Sequence, residues 1–439
     1  MTGSNPLFLC WNLLVSCIKS LWERYFGPVL TLDSGIQCRI GSQIAEGGFS
    51  VVFRATPVGG SNGTNHGNNN HGNNNNNSTV YALKRIQCLD REIRSACLRE
   101  SKVHYAVMKK NEESNITYNM PLLGMTFEGE NKCICYMLFP FYPHSLRQEV
   151  NQRILDPLQE LDQSRRQPPF TQSQRTQKVK DLLTFQPWNE SIVLQMFHHL
   201  CRAVQQLHAA GYTHRDIKLE NILLKGSNTT HLTQPVLMDF GSAGPLTRSL
   251  STKRDVLDIA EQASQHSTIS YRPPELFSGE LRQSSNVAED ETLDYTKCDV
   301  WMLGCVLFAT LYGASPSECE FSRSTGQFRI VECTHNKVLG PIPKPPSDTP
   351  TAKWYSPQIK ELVEWILNQD RHQRPTLAQI QLRVQSLLEQ RNDEVRHISP
   401  LEMDGIPNFA IPRAGSVDSG DLDIEEQVIV HYSTKSVLE

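Results

Sequence analysis

The chain has 439 residues, 38% hydrophobic and 21% charged, with a formal net charge of −4. That apolar content supports a sizeable core, spread over two or three domains or one large two-lobed unit, and excludes wholesale disorder. The near-neutral charge gives no bulk attraction to nucleic acid, so a DNA-coating protein is excluded.

Residues 1–35 read as an apolar leader. Its longest apolar run, Leu7 to Ile18, falls short of the ~18 residues a membrane span needs. Met1 to Asn5 lacks the basic residues of a secretory signal. Twelve cysteines run from Cys10 to Cys333 with no C-x-x-C pair, so no zinc ribbon or thioredoxin-type site is indicated. The expectation is buried thiols in a reducing compartment.

From Gln37 the pattern becomes strand-like. Cys38 to Ile44 and Val51 to Phe53 flank the glycine pair Gly47-Gly48, as two strands joined by a turn do. Residues 61–78 then hold ten Asn, three Gly and two His. Such a stretch buries no apolar surface, and an insert over 59–78 is expected to be a disordered loop rather than a metal site. The strand pattern resumes at Thr79 to Lys84, which makes the insert an enlarged hairpin loop.

A helix is predicted over Asp90–Met108, a strand over Ile134–Phe139, and a helix from Ser145 to about Leu161. A second, Gln- and Thr-rich insert covers about 156–186. Ile192, Met196, Leu200, Val204 and Leu207 recur at helical spacing and mark a helix with one buried stripe. Further helices are predicted over Asp299–Tyr312, Ser356–Leu367 and Leu377–Gln390. The apolar run from Val300 to Tyr312 reads as a buried core helix. Residues 391–439 form an acidic tail, expected to be mobile. Early strands followed by later helices give an α+β chain with a small sheet lobe and a larger helical lobe.

The chemistry gathers in a few segments. His214 to Asn221 places an acid, a base and an amide within a short stretch after a buried helix, and Val236 to Gly241 adds a second acid on a strand-then-glycine turn. A hard cation such as Mg²⁺ takes few carboxylates together with phosphate oxygens, and oxygen groups at strand ends suit it. Lys84, on a strand after a glycine-containing turn, is a point charge suited to phosphate.

In this order the segments resemble the protein-kinase signature set. The resemblance spans about Gln37 to Gln390 and implies an α+β, bilobal protein-kinase fold, with a small antiparallel β-sheet lobe carrying one helix and a larger mainly helical lobe. Residues 36–390 would be the kinase domain. The implied activity is transfer of the γ-phosphate of ATP to protein Ser/Thr hydroxyls, with ATP and Mg²⁺ as cofactors. Ile44, Ala45, Glu46, Gly47, Gly48, Phe49, Ser50, Val51 and Val52 match the Gly-rich loop, with Ala45 and Ser50 in place of its first and third glycines. Lys84 would bind the α- and β-phosphates and pair with Glu100, with Glu92 as the competing partner. Val52 and Ala82 would cover the adenine, Leu223 would lie beneath it, and Phe139 to Tyr142 would form the hinge.

The resemblance further implies Asp216 as the catalytic acid, Lys218 as the cation on the transferring phosphoryl, and Asn221 and Asp239 as holders of Mg²⁺. Thr268, seven residues before Glu275, matches the Ser/Thr-kinase hydroxyl that bonds the catalytic Asp and Lys. Glu275 would pair with Arg374, and Asp299 would tie down the catalytic-loop backbone. A pseudokinase scaffold is disfavoured because Lys84, Asp216 and Asp239 are all present. A small-molecule phosphotransferase is disfavoured by Pro274-Glu275, Asp299 and Arg374, which in the family shape a protein-substrate groove.

Narrower phrases, Glu46 to Ser50, Ala82 to Ile86, Gln234 to Asp239 and Thr268 to Tyr271 among them, resemble the Numb-associated kinase family, closest to its serine/threonine kinase sixteen branch. That family carries an extra helix in the activation segment. Val256, Ile259, Ala260 and Ala263 here fall at i, i+3, i+4 and i+7 and predict one that packs on the lobe and holds the segment open without phosphorylation. Myristoylation needs Gly at position 2, where this chain has Thr2. Cys10 and Cys17 are the acylation candidates, for a cytoplasmic protein peripheral on the cytosolic face of a membrane, with protein substrates as partners and no nucleic acid. The rival reading packs the leader on its own domain or leaves it disordered.

Overall fold

A computed structural model describes residues 27–47, 50–58, 79–111, 118–154, 185–225, 234–250, 252–277, 292–324 and 326–397. The chain divides into two compact units. One comprises the described residues up to Tyr105 together with Met120–Phe141, and the other comprises those of Ala106–Asn119 and those from Tyr142 onward. The leader cysteines Cys10 and Cys17, both inserts and the acidic tail beyond His397 lie outside the described residues.

The first unit is a six-stranded antiparallel sheet with one helix. Its strands are β1 (Val29–Thr31), β2 (Gln37–Glu46), β3 (Ser50–Pro57), β4 (Tyr81–Gln87), β5 (Gly124–Glu128) and β6 (Ile134–Pro140), in the order β1-β2-β3-β4-β6-β5. Period-2 alternation sends Leu30, Cys38, Ala55, Leu83 and Leu138 to one buried cluster. β3 and β4 pair in register from Ser50–Ile86 to Ala55–Tyr81, so the residues flanking the Asn-rich segment form a hairpin. The folded unit starts earlier than the boundary expected at residue 36. β1 pairs with β2, and three strand residues are too few to show a period in sequence. Helix α1 (Arg91–Asn111) follows β4 and buries Cys97, Glu100, Val103, His104 and Val107.

The second unit is mainly helical. After β7 (His144–Ser145) a helical run occupies 146–154. Helix α2 (Glu190–Ala209) starts where Asn189 Oδ1 accepts from Ser191 N at 2.9 Å. Its buried face is broader than the predicted stripe. Val193, Phe197, Cys201 and Ala203 join Met196, Leu200, Val204 and Leu207, while Ile192 is half-buried. Four short strands follow: β8 (Tyr212–Thr213), β9 (Ile222–Leu224), β10 (Pro235–Leu237) and β11 (Gly244–Pro245). β9 pairs with β7 and β10, and β11 pairs with β8.

Next come β12 (Thr247–Ser249), helix α3 (Lys253–His266) and β13 (Thr292–Asp294), which pairs back on β12. α3 is the helix predicted in the activation segment. It opens with a capping box between Thr252 and Asp255. It buries Val256, Ile259 and Ala263 against Leu250, Leu276, Leu293 and Tyr295, with Ala260 half-buried.

Helix α4 (Tyr295–Tyr312) is the core helix anticipated from its apolar run, and 16 of its 18 residues are buried. Asp294 caps its start, and Gly313, at φ 96°, ends it in the left-handed conformation that glycine adopts without steric cost. The hairpin β14 (Cys319–Ser322) and β15 (Gln327–Ile330) and the short helix α5 (His335–Val338) follow. Helix α6 (Pro357–Ile366) packs on α4, and α7 (Leu377–His397) packs on α2 and runs past the expected end at Gln390. No helix among the described residues is long and apolar enough to cross a membrane.

Candidate active site

In the sheet unit the site residues lie on β2, β3, β4 and α1. Lys84 on β4 pairs across the sheet with Val52 and with Met137. Its Nζ lies 2.8 Å from Glu100 Oε1, and Glu100 is buried on α1. Glu92 sits exposed in the first turn of α1, so helix periodicity selects Glu100 of the two candidate acids. Ala82 lies opposite Phe139 and Arg54 on its two neighbouring strands. The expected hinge, Phe139 to Tyr142, straddles the point where the chain passes from one unit to the next.

The Gly-rich loop explains its own departures from the family pattern. Ala45 stands in β2 opposite Val52 and is buried, so its extended backbone needs no glycine and its methyl packs. Ser50 begins β3 opposite Ile86. Gly47 N donates to Ser50 O at 2.7 Å, and a Cβ on Gly47 would find its nearest neighbour at 3.5 Å. Nothing within the protein therefore demands glycine at 47. Gly48 and Phe49 lie outside the described residues. Ile44, Glu46 and Val51 complete the two strands, with Glu46 opposite Val51.

In the helical unit the segment between β8 and β9 forms a tight polar knot. Asp216 is 7% exposed. Its Oδ1 accepts from Thr268 N at 2.9 Å and from Thr268 Oγ1 at 2.8 Å. Its Oδ2 lies 3.0 Å from Lys218 Nζ, which also donates to Thr268 Oγ1 at 2.9 Å. Asn221 Nδ2 donates to the Asp216 carbonyl at 2.8 Å. Asn221 O accepts from Met238 N at 3.0 Å, and so fixes the residue before Asp239. Asp239 itself has φ 66°, a left-handed conformation unusual for a residue with a side chain, and its carboxylate accepts from Gly241 N at 3.4 Å. Leu223 lies on β9 between the two ends of this knot and is 9% exposed.

Asp299 on α4 anchors the knot from below. Its Oδ2 accepts from His214 N and from His208 Nε2, both at 2.8 Å, and its Oδ1 accepts from Arg215 N at 2.9 Å. Burial pushes its carboxyl upward, but the His208 bond and the neighbouring positive groups outweigh it and hold it below the usual range. His214 Nε2 donates to Met238 O at 3.0 Å while its Nδ1 accepts from Asp216 N at 3.3 Å, which links both acid-bearing segments through one ring. Glu275 and Arg374 form a buried two-pronged pair at 2.7 and 3.0 Å.

Sequence reasoning missed several members of this frame. His208 stands 91 residues from its partner Asp299. Arg147 bridges Glu220, at 2.7 Å, and Tyr271 Oη, at 3.1 Å. Arg272 donates from Nε to Ser267 Oγ at 2.9 Å. Each is a single polar residue without a pattern around it, and no sequence signal marks it.

Comparison with known proteins agrees with this geometry. A family model described as the protein kinase domain matches residues 170–384. Serine/threonine-protein kinase 16 of Homo sapiens is 29% identical over 308 residues, which cover 70% of this chain and 81% of the relative. The Rattus norvegicus protein of the same name is 28% identical over the same length. Serine/threonine-protein kinase ppk13 of Schizosaccharomyces pombe is 24% identical over 395 residues, covering 83% of this chain and 97% of the relative.

Proposed function

We propose, from the premise that this chain is a serine/threonine protein kinase of α+β, bilobal fold, that it transfers the γ-phosphate of ATP to serine and threonine hydroxyls of protein substrates. The observation that carries the reading is the Asp216 carboxylate, held on one oxygen by Thr268 and on the other by Lys218. A carboxylate fixed in this way orients an acceptor hydroxyl and takes its proton late in transfer. Lys218 supplies positive charge where the transferring phosphoryl develops negative charge. In the sheet unit Lys84, set by Glu100, is the cation for the nucleotide phosphates.

Asn221 and Asp239 suit a divalent cation. Asn221 spends its Nδ2 on Asp216 O, which leaves its Oδ1 as the ligand atom beside the Asp239 carboxylate. The described residues contain no cluster of three or more His, Cys, Asp or Glu that would cage a metal. One carboxylate and one amide oxygen, completed by substrate phosphate and water, is the donor set Mg²⁺ accepts. When bound, the metal neutralises phosphate charge.

The finer placement is the Numb-associated kinase family near its serine/threonine kinase sixteen branch. The helix α3 in the activation segment supports it. A peripheral membrane location, in signalling or trafficking, follows from Cys10 and Cys17 within the apolar leader. One acyl chain binds only marginally, so both cysteines, or one with burial of Leu7, Trp11 and Leu14, would be needed.

Labelled ATP offered with generic protein substrates tests the activity, with Asp216→Asn as the control. Label on Ser and Thr of the substrate, lost in the variant, is expected; equal labelling by both proteins removes the assignment of Asp216. Fractionation of a Cys10/Cys17 double Ser variant tests the membrane reading, and unchanged association sinks acylation.

A further inference from the structure

Three buried thiols sit beside the Lys84–Glu100 pair and take no part in the chemistry above. Cys88 lies in the connection from β4 to α1, Cys97 lies on α1 one turn before Glu100, and Cys135 lies on β6 opposite Ile86. Cys88 Sγ is 4.0 Å from Cys97 Sγ. Cys88 N donates to Cys133 O at 2.7 Å, which pins the connection to the start of β6. Their exposures are 7%, 2% and 0% for Cys88, Cys97 and Cys135.

A buried cysteine is ordinarily a small apolar filler. Three sulfurs gathered on three different elements are a different arrangement. Hydrogen bonding from Cys135, against burial and with help from Cys88, lowers the Cys97 thiol to about 7. Burial and the neighbouring Cys97 raise Cys88 to about 11. Cys135 is raised further by its bond to Cys97 and by burial, and it stays a protonated donor. Thiolate character is thus concentrated on the one sulfur that α1 carries toward Glu100.

We propose that Cys97 and Cys88 form a peroxide-sensitive modification site whose disulfide uncouples Glu100 from Lys84 and so turns phosphoryl transfer down. The functional half of this proposal rests on the kinase reading of Lys84. The Cys97 thiolate attacks one oxygen of hydrogen peroxide, the O–O bond breaks, and hydroxide leaves with one proton gained to become water. The product is a Cys97 sulfenic acid. The Cys88 sulfur then attacks the Cys97 sulfur, forming the S–S bond and expelling the sulfenic oxygen as water. Two thiols lose two electrons, and peroxide is reduced to two waters. Cys88 is the resolving partner rather than Cys135. It sits in a connection with room to move, whereas Cys135 is locked between β4 and β5 in the sheet.

The consequence is geometric. A disulfide spans about 2 Å, so the two sulfurs close by roughly half of their present separation. Cys97 and Glu100 are on one rigid helix, three residues apart and hence on one face. A pull on Cys97 toward the β4–α1 connection shifts Glu100 from an ion pair now 2.8 Å long. In kinases that pair must be in place for transfer.

The test uses the full chain. Reduced protein is first assayed with ATP and a protein substrate, then titrated with hydrogen peroxide, alkylated and digested without reductant for peptide mapping by mass spectrometry. Arg91 and Arg94 lie between the two cysteines, so trypsin separates them and a crosslink joins two peptides. The expected result is a Cys88–Cys97 linked peptide, a fall in activity of about tenfold, and recovery with dithiothreitol. Cys88→Ser keeps the reduced activity, forms no linked peptide and resists peroxide. Cys97→Ala also gives no linked peptide, and its thermal midpoint shows whether it folds. Two results overturn the proposal: both cysteines still alkylated at peroxide that inactivates the protein, or Cys88→Ser inactivated as readily as the parent. Reduced protein without any activity strikes at the kinase reading instead, and the linked peptide still decides the thiol chemistry.

Discussion

Thr268 meets Asp216 twice, with its backbone N–H at 2.9 Å and its hydroxyl at 2.8 Å from the same carboxylate oxygen. The two are 52 residues apart in sequence. The hydroxyl also accepts from Lys218 at 2.9 Å, so one small side chain sets both charged groups of the knot. This ties the geometry of the activation segment to that of the reacting carboxylate.

Thr268→Ala removes the hydroxyl and leaves the backbone bond. A hydrogen bond to a charged group contributes about 1.5–3 kcal/mol, so kcat is expected to fall about 10- to 100-fold. KM for ATP should change little, because the lost contacts serve the acceptor side. Thr268→Ser keeps the hydroxyl and should retain most of the activity. Steady-state kinetics of the two variants check this, and an Ala variant with unchanged kcat would remove Thr268 from the mechanism.

Gly47 offers a prediction of the opposite kind. A Cβ there meets nothing closer than 3.5 Å within the protein. Gly47→Ala should therefore leave the thermal midpoint unchanged, or raise it slightly through reduced unfolded-state entropy. If backbone at 47 approaches phosphate closely, the same methyl raises KM for ATP several-fold. A variant with lowered stability and unchanged KM would show that the glycine serves the fold.

Much of the architecture was legible in sequence, for reasons that differ by element. α4 was plain because its apolar run is uninterrupted, and α2 because five apolar residues keep one helical spacing. The Lys84–Glu100 pair was readable because a strand lysine and a helix acid lie only 16 residues apart. What escaped was short or non-local. β8 and β11 have two residues each and join Thr213 to Gly244, too few for any period to show. β12, β13 and the hairpin of β14 and β15 escaped for the same reason. The sulfur cluster escaped because its members are single residues on three elements.

Glu275 and Arg374 make the stability prediction. Arg374 is 1% and Glu275 6% exposed. Removing either partner of a buried pair leaves an uncompensated charge and costs about 3–5 kcal/mol. Arg374→Ala should thus unfold at markedly lower denaturant than Glu275→Gln combined with Arg374→Met, which removes both charges. Burial pushes the Glu275 carboxyl up, yet the Arg374 charge and hydrogen bonds bring it below its ordinary 4.5. A carboxyl lowered on folding stabilises the protein fully above the unfolded value, and that contribution drains away as pH falls through the folded one. Denaturation midpoints measured from pH 7 down past 4.5 should show an acid loss in the parent that the double variant lacks.

Arg215 bears on whether the activation segment needs phosphorylation. Its guanidinium lies 3.6 Å from the centre of the Tyr295 ring, and it donates to Pro245 O at 2.7 Å and Thr213 Oγ1 at 3.2 Å. A phosphate recruited to this cation would have to break a stacked and hydrogen-bonded arrangement already in place. The segment is held instead by β11 on β8, by β12 on β13, and by α3 through Ile259, which is fully buried. Phosphatase-treated protein should therefore keep its activity, and loss of all activity would refute a pre-set segment. Ile259→Asp, which places a charge in the α3 core, should lower activity severely whatever the phosphorylation state. Gly244→Ala should act on the same frame from the other side, because a Cβ there would stand 2.4 Å from Arg215 Cζ. Hydrogen exchange across 244–266 should rise in both variants, and in neither should phosphorylation restore protection, because the missing contacts are apolar packing and backbone register rather than charge.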